Sequence, residues 1–276
     1  MNTGTVKHIC LLIDGTRIYA ILNDAEDIAK VAYKTLFDHL TVLHELLFLE
    51  WGIPFLSAVT STRINHFLRP DHEINEFSSN LLRYVEESTP FFHEHEVKFK
   101  FIGDLDLFCS RCKDPSQARA LLLNTEKETR AYSAFHLFLM AAYDERHECI
   151  SYLTKAHTTD VKELVQTYYG CSVPDVDVTI RFGRPRLSFC LPLLVGGYSD
   201  IFLYPIPFQY CTREDITTML TDYAARPVSK GGGFAYSEED IVSIRAKKDN
   251  LKFIKPQVMG TKIGRVWFPF KKPEEE

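Results

Sequence analysis

Long apolar runs are missing from this 276-residue chain. No stretch approaches the roughly 18–20 consecutive apolar residues of a membrane-spanning helix, so no transmembrane anchor is expected. Near the start, Lys7, His8 and Asp14 bracket a short apolar run, Ile9 to Ile13, which is too brief for a secretion signal. An excess of positive charge is also absent. Thirty-two Lys and Arg face 37 Asp and Glu, giving a net charge of −5, which argues against nucleic acid as the main partner. The seven cysteines are scattered and odd in number, in keeping with reduced thiols in a cytoplasmic protein. Cys109 and Cys112 form a CxxC with no second pair at metal-ligand spacing, so neither a zinc nor a redox site is expected. The chain contains no GxSxG, HExxH, P-loop or GxGxxG, which removes the common hydrolase, nucleotide and dinucleotide signatures. Low-complexity linkers and internal repeats are lacking as well. One large domain is therefore expected over residues 1–228, with residues 229–276 as a C-terminal helix and tail docking on it.

What the chain does have is 45% hydrophobic residues, enough for a substantial core, arranged as alternating strands and helices. Apolar runs at His8–Ile13, Phe55–Val59, Ala134–Ala142, Val176–Ile180 and Ile201–Tyr204, and the polar–apolar alternation at His95–Ile102, read as strands. Helical spacing covers Ala25–Trp51, Ile74–Glu87, Gln117–Thr125, Glu145–Ala156, Val161–Tyr169 and Arg213–Ala225, with a polar loop expected at Thr60–Pro70. Ser237-Glu238-Glu239-Asp240 is a good helix start. Gly231–Gly233 and the last residues from Lys271 are expected to be flexible. The alternation implies an α/β fold with a mostly parallel central sheet flanked by helices.

In such sheets ligands sit beyond the carboxyl ends of strands. That rule lines up Asp14, the Thr60–Pro70 loop, Gly103-Asp104, Tyr143 and Arg181 along one rim. The stretch from His8 to Ala20 stands out, since a buried strand breaks into Asp14-Gly15-Thr16-Arg17 and then opens a helix. A carboxylate, backbone N–H groups and an Arg would share one crevice there, suited to a phosphorylated ligand with Mg²⁺. Asp14 and Asp200 are the candidate metal carboxylates. Arg17, Arg69, Arg181 and Arg186 could clamp diphosphate oxygens in pairs through their planar forks, and Ser188 could add a hydroxyl.

The order of these pieces resembles one family. His8-x5-Asp14-Gly15-x-Arg17, Arg69-Pro70, Ile102-Gly103-Asp104, Tyr143-x-x-Arg146-x-Glu148, Arg181-x-Gly183 and Tyr198-Ser199-Asp200 look like the motifs of the cis-prenyltransferases (undecaprenyl diphosphate synthases). That resemblance implies the cis-prenyltransferase fold, a homodimer, Mg²⁺ at Asp14 and Asp200, and diphosphate binding by Gly15, Thr16 and Arg17, with Arg69 on the allylic diphosphate and Arg181, Arg186 and Ser188 on isopentenyl diphosphate. Departures accompany it. Thr16 stands where the family usually has Asn, and Ile18 where it has a second Arg. Asp144 and Glu145 replace two glycines, and Arg186 and Ser188 sit one residue early. Asp14-Gly15-Thr16-Arg17, Glu94-His95-Glu96-Val97, Tyr168-Tyr169-Gly170, Phe182-Gly183-Arg184 and Trp267-Phe268 also resemble tuberculosinol synthase-type terpene synthases on the same fold. The leading expectation is accordingly a terpene synthase that ionises a C15–C20 prenyl or cyclised diterpenyl diphosphate. Asp14 and Arg17 would serve the ionisation, and Tyr19, Tyr143 or a water would quench the cation. The alternative is a cis- or irregular prenyltransferase that condenses an allylic diphosphate with isopentenyl or dimethylallyl diphosphate. A non-catalytic partner subunit is disfavoured because Asp14 is intact. Peripheral membrane association through a lipid product would suit either enzyme.

Overall fold

The computed structural model describes residues 6–155, 158, 160–186, 188, 191, 194, 199–225, 237–246, 259–263 and 266–270. The chain divides into two compact units, Met1–Ala225 and Arg226–Glu276.

The first unit is built on six parallel strands, β1 (His8–Leu12), β2 (Phe55–Val59), β3 (Val97–Ile102), β4 (Phe135–Met140), β5 (Val178–Phe182) and β6 (Asp200–Tyr204). They lie in the order β3-β4-β2-β1-β5-β6, with every neighbouring pair parallel. The α/β architecture expected from the alternation is the one observed. β1 is buried along its whole length, which explains why it reads as an unbroken apolar run rather than an alternating one. Its odd residues, Ile9 and Leu11, join the larger core on one face, while Cys10 and Leu12 join a smaller cluster on the other.

The larger core lies under α2 (Ile28–Glu45), α4 (Asp71–Glu94), α6 (Pro115–Thr129) and α9 (Arg213–Ala225). Leu36, Phe37 and Leu40 of α2 and Phe77, Leu81 and Tyr84 of α4 are all buried there at helical spacing. On the opposite face, α7 (Glu145–Lys155) leads into α8 (Val161–Tyr169), whose Val165, Tyr168 and Tyr169 pack with Leu12, Phe138 and Met140. Sheet edges are a hazard because their amide groups can template pairing. Edge strand β3 is covered by α6, where Thr129 Oγ1 accepts from the Phe99 N–H (3.1 Å) and Glu126 Oε1 from the Phe101 N–H (2.8 Å).

Two segments depart from the sequence-based expectation. The polar stretch expected as a loop at 60–70 contains a short helix, α3 (Arg63–Leu68). It is capped reciprocally, with Thr62 Oγ1 accepting from the Asn65 N–H and Asn65 Oδ1 from the Thr62 N–H. The helix expected to stop at Glu87 runs on to Glu94 through Pro90. Pro90 and Glu86 are both exposed, so water can satisfy the carbonyl that proline leaves without a donor. A further short helix, α5 (Leu105–Ser110), follows β3, with Asp104 Oδ1 capping the Leu107 N–H.

The second unit holds α10 (Glu238–Ala246), which begins after Ser237 as its cap pattern implies. An antiparallel pair, β7 (Met259–Ile263) and β8 (Val266–Phe270), takes up the segment around Trp267. Gly231–Gly233 and the residues from 271 onward lie outside the described residues.

Candidate active site

The connections leaving β1 and β5 part company. After β1 the chain passes to α2 on the larger-core face, whereas Leu191 and Leu194, after β5, pack into the smaller cluster on the other face. Divergence of two adjacent connections opens a crevice beyond the carboxyl ends of the strands. Asp14 stands in it, just past the end of β1. Gly15 follows with φ +83°, and a Cβ at that position would lie 2.8 Å from the Pro207 Cα. Gly183, past the end of β5 with φ +67°, approaches so closely that a Cβ would meet the Asp14 Cβ at 3.2 Å. Only glycine allows both the backbone sign and the contact. The Phe208 N–H donates to the Asp14 carbonyl at 3.2 Å and locks the turn from the third side.

The Asp14 carboxylate is held on both oxygens. Oδ1 accepts from the Gly15 N–H at 2.8 Å, and Oδ2 accepts from Arg181 Nη2 at 2.7 Å and Arg186 Nη2 at 3.2 Å. Arg181 lies opposite Leu12 in the β1–β5 register, with its side chain wholly buried. Its Nε donates to the Arg184 carbonyl at 3.2 Å. Burial pulls the Arg181 pKa down and the Asp14 charge opposes that pull; an arginine so paired stays cationic. Ser188 Oγ is buried and has no hydrogen-bond partner, so an incoming acceptor would satisfy it.

A second cationic group forms around Glu73, on the first turn of α4. Helix α1 (Thr16–Leu22) carries Arg17, whose Nη1 lies 3.1 Å from Glu73 Oε1. Arg69, at the end of α3, reaches the same oxygen at 3.7 Å and donates to the Tyr33 hydroxyl at 2.5 Å. That hydroxyl in turn donates to Glu73 Oε1 at 2.8 Å. Burial pushes the Tyr33 pKa up against the Arg69 charge, so Tyr33 remains a neutral donor. Arg111 Nη2 fixes the backbone of this corner by donating to the Arg69 carbonyl (3.2 Å) and to Asp71 Oδ1 (2.7 Å).

The remaining sequence-based candidates are distributed as follows. Thr16 opens α1 and Tyr19 is half-buried, its ring edge-on to Tyr210 at 5.0 Å. Tyr143 follows β4 on the same rim, and its backbone bridges to Thr62. Its side chain, however, is 2% exposed and packs in the smaller cluster, where burial holds the phenol protonated. Asp200 does not join Asp14. It opens β6 opposite Val178, which is itself opposite Ile9. Asp14 lies five residues beyond Ile9, so on the order of 15 Å of strand separates the two carboxylates along the sheet. Strand direction puts Asp200 at the amino edge of the sheet, away from Asp14.

Glu73, Tyr33 and Arg111 escaped the sequence reading. Arg69 and Glu73 stand four apart, but Arg69 is extended and Pro70 precedes α4, so their contact comes from the turn between α3 and α4 rather than from one helix face. That turn fell between the expected loop and the expected helix. Among the described residues no group of three His, Cys, Asp or Glu side chains could enclose a metal. Asp14, a partly exposed hard-oxygen donor flanked by arginines, fits the different arrangement in which Mg²⁺ takes one carboxylate and most of its ligands from substrate phosphate and water.

Known proteins match this arrangement of sheet and crevice. The prenyltransferase family described as undecaprenyl diphosphate synthase matches residues 12–231. The chain belongs to that family. An isoprenyl transferase of Rickettsia typhi is 27% identical over 80% of this prenyltransferase-family chain and 96% of its own length. A tritrans,polycis-undecaprenyl-diphosphate synthase (geranylgeranyl-diphosphate specific) of Pyrobaculum aerophilum is 26% identical over 81% and 96%. The fold is shared with lavandulyl diphosphate synthase from Lavandula x intermedia in complex with dimethylallyl diphosphate. There the TM-score is 0.71 and the identity 18%, with 83% of this chain and 99% of that one covered. These relatives correct the leading expectation from sequence. They are named as prenyl transferases and diphosphate synthases, so the terpene-synthase reading is overturned in favour of the prenyltransferase alternative. The misreading came from giving weight to short motifs such as Tyr168-Tyr169-Gly170 and Phe182-Gly183-Arg184, which resemble the terpene synthases but do not decide the reaction on a fold that both share.

Proposed function

We propose that this prenyltransferase condenses an allylic prenyl diphosphate with isopentenyl or dimethylallyl diphosphate. The observation that carries the reading is the presence of two separate guanidinium groups at one crevice, Arg181 with Arg186 on Asp14, and Arg17 with Arg69 on Glu73. One clamp per diphosphate is what a two-substrate condensation requires. Arg17, Arg69 and the Gly15-Thr16 turn would hold the allylic diphosphate. Arg181, Arg186 and the unsatisfied Ser188 hydroxyl would hold its partner.

In the reaction the allylic C1–O bond breaks, and the diphosphate leaves with the electron pair. The double bond of the second substrate forms the new carbon–carbon bond to C1, and a proton is lost from the adduct. Mg²⁺, held by Asp14 and phosphate oxygens, would neutralise charge on the departing diphosphate. The arginines contribute fixed positive charge where negative charge develops, a preorganised effect worth about 3–4 kcal/mol per donor. Tyr143 is neutral and enclosed, so the reading gives it the support of the Thr62 turn rather than the proton. The reading also includes a homodimer working in the cytoplasm.

The test is incubation of the purified chain with Mg²⁺ and a panel of allylic diphosphates, each with and without isopentenyl or dimethylallyl diphosphate. Product should form only with both substrates, one chain lengthened by five carbons per diphosphate released. Equal diphosphate release from the allylic substrate alone would overturn the condensation.

A further inference from the structure

The Glu73 carboxylate touches both arginines of the first clamp. It belongs to neither backbone segment that carries them, since Arg17 lies on α1 and Arg69 at the end of α3. Both approach a single oxygen, Oε1, which also accepts from Tyr33 of α2. Three elements and the start of α4 are thus tied at one atom. Glu73 is nearly buried while Arg17 is half exposed, with relative side-chain accessibilities of 11% and 51%. The carboxylate is therefore the fixed member of the pair and the guanidinium the adjustable one.

Two guanidinium groups drawn to one anion repel each other unless negative charge lies between them. Glu73 supplies one negative charge for two positive ones, leaving the corner a single net positive charge with guanidinium N–H donors to spare. Tyr33 cannot supply that charge, because burial keeps its hydroxyl protonated. It adds orientation instead: its oxygen accepts from Arg69 and its proton goes to Glu73, so each group's direction is set by the other two.

We infer that Glu73 is a positioning residue, which together with Tyr33 holds Arg17 and Arg69 side by side as one preformed clamp for the allylic diphosphate. The inference rests on the two-clamp reading of the site. Glu73 does not touch substrate in this account. It spares the substrate the cost of gathering two mobile arginines, so its contribution appears in binding rather than in the chemical step.

The experiment is steady-state kinetics on the full chain with both substrates varied, for Glu73→Gln, Arg17→Ala, and the double variant. Gln keeps the shape and the acceptor oxygen but removes the charge. Glu73→Gln should raise KM for the allylic diphosphate about tenfold, the weight of one charge-assisted interaction. Its kcat and its KM for the second diphosphate should stay within about threefold of wild type. Arg17→Ala should raise the same KM, and adding Glu73→Gln to it should cost much less than Glu73→Gln costs alone. Glu73→Asp, which keeps the charge on a shorter stem, should restore part of the loss. A purely structural Glu73 would lower the melting temperature with no selective rise in one KM, and that result overturns the inference. Full additivity of the two substitutions overturns it too. If Arg17→Ala and Arg69→Ala are both without effect on either KM, the two-clamp reading itself fails, an outcome distinct from a silent Glu73.

Discussion

Arg181 and Asp14 meet at 2.7 Å, with the guanidinium buried and the carboxylate partly open to the crevice. The asymmetry matters for substitutions. Removing one partner of a buried ion pair leaves the other's charge uncompensated, which costs about 3–5 kcal/mol. Asp14→Asn keeps an acceptor for the Gly15 N–H but withdraws the charge facing Arg181 and Arg186. The variant should fold with a lowered melting temperature and lose turnover by more than about a hundredfold, as expected when fixed charge at the reacting centre is removed. Arg181→Lys is the sharper probe. It retains the charge but cannot use Nε on the Arg184 carbonyl while Nη2 holds Asp14, so the exchange is not conservative. The KM for the second diphosphate should rise at least about tenfold, with the allylic KM little changed. An unchanged pair of KM values, measured with both substrates varied, would place Arg181 outside the site.

Among the elements, the two edges of the sheet make a contrast. β3 is closed by Thr129 and Glu126 of α6, while β6 presents Ile201 and Leu203 to solvent from one face and packs Phe202 and Tyr204 toward the larger core from the other. Exposed apolar side chains on an edge strand are where self-association is expected. Leu203→Glu should therefore shift the chain toward monomer in sedimentation velocity while leaving its circular dichroism unchanged. A monomeric wild-type chain, or a dimeric variant, would remove β6 from the contact. The strands themselves were legible because buried β1 is a continuous apolar run and edge strand β3 alternates, each with a clear break, at Asp14-Gly15 and at Gly103-Asp104. α3 was not, since its six residues carry no apolar period and its start is marked by Thr62 with Asn65 in place of the usual acidic partner. The same blind spot hid Glu73: with the helix expected only from Ile74, its place on the first turn of α4, just after Arg69, went unread. Arg17, Arg69 and Arg181 could be nominated from chemistry, and the resemblance already separated Arg69 from Arg181; the joining of Arg17 to Arg69 through Glu73 was not legible. Asp200 shows the converse, a plausible residue type at a plausible spacing placed at the wrong end of its strand.

At the scale of the whole molecule, four histidines are buried in or against the core. Burial lowers His8, His66 and His136 to about 4 and His44 to about 3. Unlike charges nearby do not rescue them. The like charge of His136 presses further on His8, Arg69 and Arg111 press on His66, and Lys98 on His136. His8 bonds Ser57 Oγ and the Pro174 carbonyl inside the sheet, and His136 stacks on Phe55 with centroids 4.4 Å apart. In the unfolded chain each would titrate near about 6.5. The unfolded state thus binds more protons than the folded state as soon as pH falls below that value, and unfolding is favoured by acid. The histidine contribution to stability is fully present above about pH 6.5 and is lost progressively as pH falls toward about 4. Against the opposing effect of burial, Asp38 is shifted below the usual carboxylate range by Lys34 and Arg83, Asp104 by the Leu107 N–H and Arg63, and Asp215 by its hydrogen bonds from Thr212 and Tyr204. Their loss begins only as pH drops through about 4, so the interval from about 6.5 to about 5 reports chiefly the histidines, opposed by Glu126 and Glu148, whose pKa values burial raises. Urea midpoints of the full chain should hold steady from about pH 8 to 7 and fall steeply across that interval, with activity falling alongside because His66 bonds Ser61 at the rim of the crevice. A midpoint that stays level down to about pH 5 would mean that these side chains reach solvent, or remain charged, in the folded protein.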